Sequence, residues 1–252
     1  MITAVIFAGG TGQRMKHTDL PKQFLKVGGK PIIIRTLEHF EKHPDVDRIV
    51  VACISDRMEQ LRNLVAEYGI GKVVSIVEGG ATGFRSIHNA LVEVESLSDD
   101  IDGEMVLVCD GVRPILTQQL ITECIEGTKK YGNAVPVTPC IDSPFFSEDG
   151  KASERSFDRN SLFITQAPQG YMLGRILWAH EEAIKRKLED PISSADLFVE
   201  LGEKIHLFMG DRRNIKITTP EDLEVLRATY YMQLPEVKNL MDKLHSDDEA
   251  VV

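Results

Sequence analysis

At 252 residues, with 42% hydrophobic and 27% charged side chains, the chain has an ordinary globular composition and enough apolar content to bury a full core. A net charge of −10 excludes a general nucleic-acid surface, which needs a basic face, so an anionic ligand must be met by a local cluster of Lys and Arg. No apolar run reaches the ~18 residues of a membrane span, no basic-then-apolar leader opens the sequence, and the four cysteines have no metal-ligand spacing, so a cytoplasmic protein without a membrane partner, with buried thiols at Cys53 and Cys109, is expected.

The first apolar run, residues 4–8, reads as a buried strand and empties into Gly9-Gly10-Thr11-Gly12-Gln13-Arg14-Met15, with Pro21-Lys22-Gln23 shortly after. Glycines let backbone N–H groups turn inward and approach a phosphate closely, and Arg14 and Lys22 add two positive charges to the same turn. This is a cradle for a polyphosphate. It is not a P-loop, since no Gly-Lys-Ser/Thr closes it, and as a dinucleotide fingerprint it lacks the third glycine, with Met15 in its place.

Strand and helix patterns then alternate. A helix is predicted over 33–42, a strand over 48–54, a helix over 58–67 and a strand over 73–77. A helix over 85–94 carries Ile87, Ala90, Leu91 and Val94 at helical spacing, and a buried strand over 105–109 ends at Asp110. A helix over 120–130 and an extended piece over 134–138 follow. The order predicts an α/β fold, a Rossmann-like mostly parallel sheet with helices on both faces, with ligands at the carboxyl ends of its strands.

Residues 139–159 break this rhythm. Two extended pieces, 143–146 and 152–157, flank Glu148-Asp149-Gly150 and read as a protruding β-hairpin arm with the Asp-Gly pair as its turn. A two-stranded hairpin carrying Phe145, Phe146 and Phe157 is marginal in water by itself, so the arm is expected to pack on a second copy in a homodimer. A short strand is predicted at 215–218, then a helix with Thr219 as N-cap and Pro220 at its first position. The domain is expected to span 1–232, with a helix-like piece at 237–244 and a frayed acidic tail at 246–252 beyond it.

AGGTGQRM, PKQFL, VEGG with RSIHNAL, VLVCDGVRP, DRNSLFITQAPQ and NIKITTPEDL occur in this order. The set resembles the isoprenoid-pathway cytidylyltransferases, which join CTP to 2-C-methyl-D-erythritol 4-phosphate, and their relatives that make CDP-ribitol. The resemblance covers about residues 2–231. It implies a nucleotidyltransferase fold of GT-A type and a Mg²⁺-dependent transfer of CMP from CTP to a small polyol phosphate. By the same resemblance Ala8, Gly9, Gly10, Thr11 and Gly12 wrap the triphosphate, Arg14 and Lys22 grip its oxygens, and Gly80 and Ser86 recognise cytosine. Asp110 stands beside the ribose and the Mg²⁺-triphosphate as the metal-holding carboxylate, Gly111 contacts the ribose, and Arg113 keeps the Arg-Pro pair. Lys216 matches the lysine aimed at the α-phosphate, and Arg159 matches an arginine that reaches the acceptor of the neighbouring subunit. Ser143 and Ser193 stand at the other acceptor positions.

The departures cluster on the acceptor side. His-Asp-Ala-Ala-Arg-Pro becomes Cys109-Asp110-Gly111-Val112-Arg113-Pro114, and Asp-Thr followed by a basic residue becomes Asp142-Ser143-Pro144-Phe145. Thr-Pro-Gln becomes Ala167-Pro168-Gln169, Thr-Asp-Glu/Asp-Ala becomes Ser193-Ser194-Ala195-Asp196, and Gly83 replaces an arginine. CTP use is therefore better supported than use of methylerythritol phosphate. The alternatives are a sugar-phosphate nucleotidyltransferase with another donor and a non-catalytic homologue acting as a binding subunit. No general base is required for the transfer, because a phosphomonoester with a second pKa near about 6 is already deprotonated at neutral pH. Accordingly His88, the histidine within a matched motif, is expected to be structural.

Overall fold

The computed structural model describes residues 1–10, 20–188 and 191–239. Strand β1 (Ile2–Ala8) lies in the middle of an eight-stranded sheet. Its side chains alternate, with Ala4, Ile6 and Ala8 entering one core and Val5 and Phe7 the other, as a strand covered on both faces must. A short antiparallel pair, β2 (Lys26–Val27) and β3 (Lys30–Pro31), leads into α1 (Ile32–Glu41). Next come β4 (Arg48–Cys53), α2 (Met58–Glu67), β5 (Val73–Glu78), α3 (Gly83–Ser96) and β6 (Met105–Asp110). Strands β5, β4, β1 and β6 lie side by side and parallel, so Ala8, Cys53, Glu78 and Asp110 finish at one edge of the sheet.

The second half adds α4 (Gln118–Tyr131) and β7 (Asn133–Pro139), then the arm with β8 (Phe145–Phe146) and β9 (Arg155–Ser156). After it come β10 (Phe163–Thr165), β11 (Gln169–Met172) and α5 (Leu173–Arg186). The chain closes with α6 (Ser194–Glu200), β12 (Leu207–Met209) and α7 (Pro220–Tyr231). Strand β11 enters antiparallel between β6 and β7, and β10 and β12 also pair with β7. Helices α1, α2 and α4 bury one face of the sheet and α3, α5 and α6 the other. The expected mostly parallel sheet with helices on both faces is what forms.

Two local expectations need correction. Residues 215–218 are not a strand: Ile217 N–H donates to Val112 O at 2.9 Å, so the segment is pinned to the loop after β6 instead of to a sheet edge. In the arm, pairing is confined to β8 and β9, joined by a long loop in place of a two-residue turn. Asp149 accounts for this, because its Oδ1 accepts from the N–H groups of Lys151 (2.9 Å) and Ala152 (3.4 Å) and withdraws them from the ladder. The start of α7 is as read, with Thr219 and Asp222 forming a capping box behind Pro220.

The predicted helix at 237–244 begins inside a described helical turn at 235–239, and its remainder and the tail at 246–252 lie outside the described residues. Among the described residues no helix is long and apolar enough to cross a membrane. Cys53, Cys109 and Cys124 are buried free thiols, and burial pushes the Cys53 thiol up to about 11.

Candidate active site

The carboxyl ends of β1, β5 and β6 bring three backbone segments into contact. A Cβ on Gly9 would lie 2.5 Å from Ser86 Oγ, and one on Gly79 would lie 3.2 Å from Gly9 Cα, so the close approach of these turns requires glycine. Ser86, in the first turn of α3, ties its own loop: its Oγ accepts from Gly80 N–H at 3.0 Å and donates to Thr82 O at 2.9 Å. Gly111 donates to Phe7 O at 3.0 Å, and a Cβ there would lie 2.6 Å from Ile33 Cδ1.

Gln23 is a site residue to which the sequence reading gives no role. Buried in the short helical turn after Pro21, it donates from Nε2 to Ala8 O at 2.7 Å and to Gly10 O at 3.3 Å. Both carbonyls of the glycine turn are thereby drawn to one side. The signal is present in the PKQFL motif, where a buried polar residue beside a lysine needs a partner.

Asp110 ends β6 and is almost fully buried. Its Oδ2 accepts from Arg113 Nε at 2.8 Å, and its Oδ1 pairs with Lys216 Nζ at 2.5 Å. Burial opposes the charge, yet the Arg113 guanidinium and the Lys216 ammonium hold this carboxyl below the usual carboxylate range. Arg113 also donates through Nη1 to Asn214 O at 2.9 Å, which fixes the strip carrying Lys216 against the end of β6.

This ion-paired cluster stands between two cavities. One, of about 410 Å³, is lined by Ala8, Gly9, Gly10, Lys22, Ser86 and others; the second, of about 220 Å³, is lined by Arg113, Ala167 and Ser193 among others. Phe7, Gly83, Asp110 and Lys216 line both. The first cavity thus gathers most of the described residues assigned to the nucleotide, while Gly80 and Gly111 sit immediately behind its wall. Thr11, Gly12 and Arg14 lie outside the described residues.

Ser143 and Arg159 line neither cavity; both are exposed on the arm, where Arg159 Nη1 donates to Ile141 O at 3.1 Å. The Ser193 hydroxyl caps α6, accepting from Asp196 N–H at 3.2 Å and donating to Asp196 Oδ2 at 2.8 Å. His88 is on α3 in a ring stack with His180, centroids 5.8 Å apart, and lines neither cavity.

Residues 2–233 match the family model described as IspD, 2-C-methyl-D-erythritol 4-phosphate cytidylyltransferase. The chain is 37% identical over 230 residues to a ribitol-5-phosphate cytidylyltransferase of Streptococcus agalactiae, covering 91% of this chain and 95% of that one. It is 35% identical over 233 residues to a 2-C-methyl-D-erythritol 4-phosphate cytidylyltransferase of Geobacillus thermodenitrificans, covering 92% and 98%. Among solved structures, the 4-diphosphocytidyl-2C-methyl-D-erythritol synthase of Anaerococcus prevotii superposes with a TM-score of 0.77 at 25% identity, over 92% of this chain and 96% of that one. With a strand-end glycine turn and a clamped aspartate in a sheet of that shape, the chain belongs to the IspD family of cytidylyltransferases.

Proposed function

We propose that this cytidylyltransferase moves CMP from CTP onto the phosphate of a small polyol phosphate, with ribitol 5-phosphate as the acceptor, releasing pyrophosphate. An acceptor phosphate oxygen forms a bond to the α-phosphorus of CTP as the bond to the bridging β-phosphate oxygen breaks. The observation that carries the reading is the Asp110 carboxylate, clamped by Arg113 and Lys216 on the wall common to two cavities. One cavity takes the nucleotide and the other the acceptor, so the reacting phosphates meet at Lys216. The acceptor choice is supported by the S. agalactiae relative and by the departures at Ala167 and Ser194, which fall on the second cavity.

The obstacle to this reaction is repulsion between two polyanions. Two unit charges about 4 Å apart cost roughly 4 kcal/mol at an effective dielectric of 20, and several such pairs form. Arg14, Lys22 and Lys216 offset that cost, with Lys216 on the α-phosphate and Arg159 of a second copy on the acceptor phosphate. Asp110 would hold Mg²⁺. The donor set fits, because Mg²⁺ takes one or two carboxylates plus substrate phosphates, and Asp110 places one carboxylate on the wall that both cavities have in common. Bound there, the ion supplies positive charge to the phosphates. The catalytic unit so assigned spans 1–232, and the cytoplasm, where CTP is available, is its compartment.

Pyrophosphate release tests this directly. Turnover is expected with CTP and ribitol 5-phosphate, with slower or no turnover on 2-C-methyl-D-erythritol 4-phosphate and none with UTP, ATP or GTP. Equal use of the four nucleotides would refute the donor, and faster use of methylerythritol phosphate would refute the acceptor.

Gln23→Ala is expected to weaken CTP binding by about tenfold, since the carbonyls of Ala8 and Gly10 lose the amide that turns them away from the nucleotide. Calorimetric titration with CTP checks it, and unchanged affinity would show that the glycine turn holds itself.

The arm is assigned to a homodimer interface. Phe145 is 65% and Phe146 48% exposed on a hairpin with two paired residues per strand, and Phe163 and Ile164 are exposed on β10, which follows it in the chain. Phe145→Glu combined with Phe146→Glu should convert a dimer into a monomer in light scattering and lower turnover, because Arg159 no longer reaches the neighbouring site. A protein that is monomeric before substitution would rule the arrangement out.

A further inference from the structure

The second cavity has a distinct chemistry. Among the described residues its charged lining consists of Asp110, Arg113 and Lys216, all at or beside the wall common with the nucleotide cavity. Much of the remainder is apolar, from Phe84, Ile87, Val108 and Ala167, with the His180 ring stacked on Phe84 at 4.4 Å. An acceptor therefore has one place for its phosphate, beside Lys216, and its uncharged tail fills the rest. The tail of a polyol carries hydroxyls, and in such surroundings each hydroxyl needs a partner.

Most polar side chains around the cavity are already committed. Gln169 accepts from the Tyr171 hydroxyl at 2.9 Å and donates to Gln166 O at 3.3 Å, and Ser193 caps α6. Among the described lining residues two side-chain oxygens are buried without a hydrogen-bond partner, Ser194 Oγ and Gln166 Oε1. Gln166 is fixed by its amide, which donates to Asp211 O at 2.8 Å and Asn214 O at 3.2 Å, and its Oε1 faces Gly210, where a Cβ would lie 2.2 Å away. Ser194 has no such restraint. It is 4% exposed, and its hydroxyl turns on a single rotatable bond, able both to donate and to accept. A buried hydroxyl left unbonded is a standing cost to the fold, which is accounted for if a ligand completes it.

We propose that Ser194 hydrogen-bonds a hydroxyl of the acceptor's tail and thereby sets which polyol phosphate is accepted. The inference rests on the second cavity being the acceptor site. It shifts the reading of the acceptor from Ser193, whose hydroxyl is a helix cap, to the next residue. It also defines the substrate class more narrowly: one terminal phosphate on an uncharged hydroxylated chain, since among the described lining residues the cations, Arg113 and Lys216, both stand at the Asp110 wall.

The test compares the full-length protein with Ser194→Ala on ribitol 5-phosphate and on each of its single-deoxy analogues. For the native enzyme kcat/KM is expected to fall about tenfold on removal of one particular hydroxyl, the loss typical of one neutral hydrogen bond. Ser194→Ala should lose the same factor on the complete acceptor, chiefly through KM, and should no longer distinguish that analogue. The CTP KM should stay unchanged. The variant should also unfold at the same temperature or higher, because it deletes an unbonded buried hydroxyl, so lower activity would not reflect a damaged fold. A variant that matches the native enzyme on every acceptor, or that loses activity equally on all of them, overturns the role of Ser194 and leaves the cytidylyltransfer intact. Absence of transfer from CTP to any polyol phosphate by the native enzyme overturns both.

Discussion

Lys216→Ala is expected to lower kcat by about a hundredfold to a thousandfold, the usual loss when one preorganised charge is withdrawn from a developing anion. Its ammonium group joins the two cavities, and among the described residues no other cation lines both. The fold should hardly notice. The Lys216 side chain is 42% exposed, so solvent screens its pairing with Asp110 and the variant should unfold within a degree or two of the native protein. Asp110→Ala makes the contrast. It also stops turnover, but Arg113 stays buried after losing its counter-ion, which typically costs about 3–5 kcal/mol. Single-turnover kinetics beside thermal melts separates the two effects. A Lys216→Ala variant with near-native kcat would remove the lysine from the chemistry, and an Asp110→Ala variant of native stability would show that Arg113 finds another partner.

The site is legible in sequence to the extent that its residues sit at strand ends. A strand buried on both faces leaves a short apolar run, and the residues after such runs mark the ligand edge of the sheet. Gly9, Gly10 and Asp110 are found this way, and the alternation of Ala4, Ile6 and Ala8 against Val5 and Phe7 shows why the run is unbroken. The strands within 160–213, β10, β11 and β12, give no such signal. They have three or four residues, too few for a period, and they exist because β7 and β6 are there to pair with. Gly170 in β11 reads locally as a strand breaker, yet a Cβ there would lie 2.0 Å from Thr128 Oγ1, so the glycine records the packing of α4 on the sheet.

The same limit separates Ser193 from Ser194. Both are small hydroxyl residues before an apolar run, and the sequence cannot say which one caps the helix. The structure distinguishes them by the partner Asp196 supplies to Ser193. Gln23 and Ser194 are both buried polar residues whose roles follow from an accounting of hydrogen bonds, one made twice over and the other unmade.

Glu104→Ala is expected to cost about 3–5 kcal/mol of stability at neutral pH, the largest effect foreseen away from the site. Glu104 precedes β6 and is 2% exposed. Its Oε1 accepts from Thr3 Oγ1 and from Arg48 Nη2 at 2.8 Å, while Arg48 Nε donates to Thr3 Oγ1 at 2.8 Å. The network fastens the starts of β1, β4 and β6, at the end of the sheet opposite Asp110. Truncating the glutamate leaves the Arg48 guanidinium, itself mostly buried, without a counter-ion. Burial alone would raise the Glu104 pKa, but hydrogen bonds from Ser98, Thr3 and Arg48 outweigh it and hold the carboxyl below its usual range. A carboxylate lowered on folding stabilises the native state above its unfolded pKa, and that contribution disappears as pH falls through the folded value. The native protein should therefore lose stability on acidification below the ordinary carboxylate range, and Glu104→Gln should flatten that part of the profile. Urea unfolding at a series of pH values measures both. An acid profile identical in the native protein and the Glu104→Gln variant would place the proton uptake on other carboxylates, Asp110 first among them.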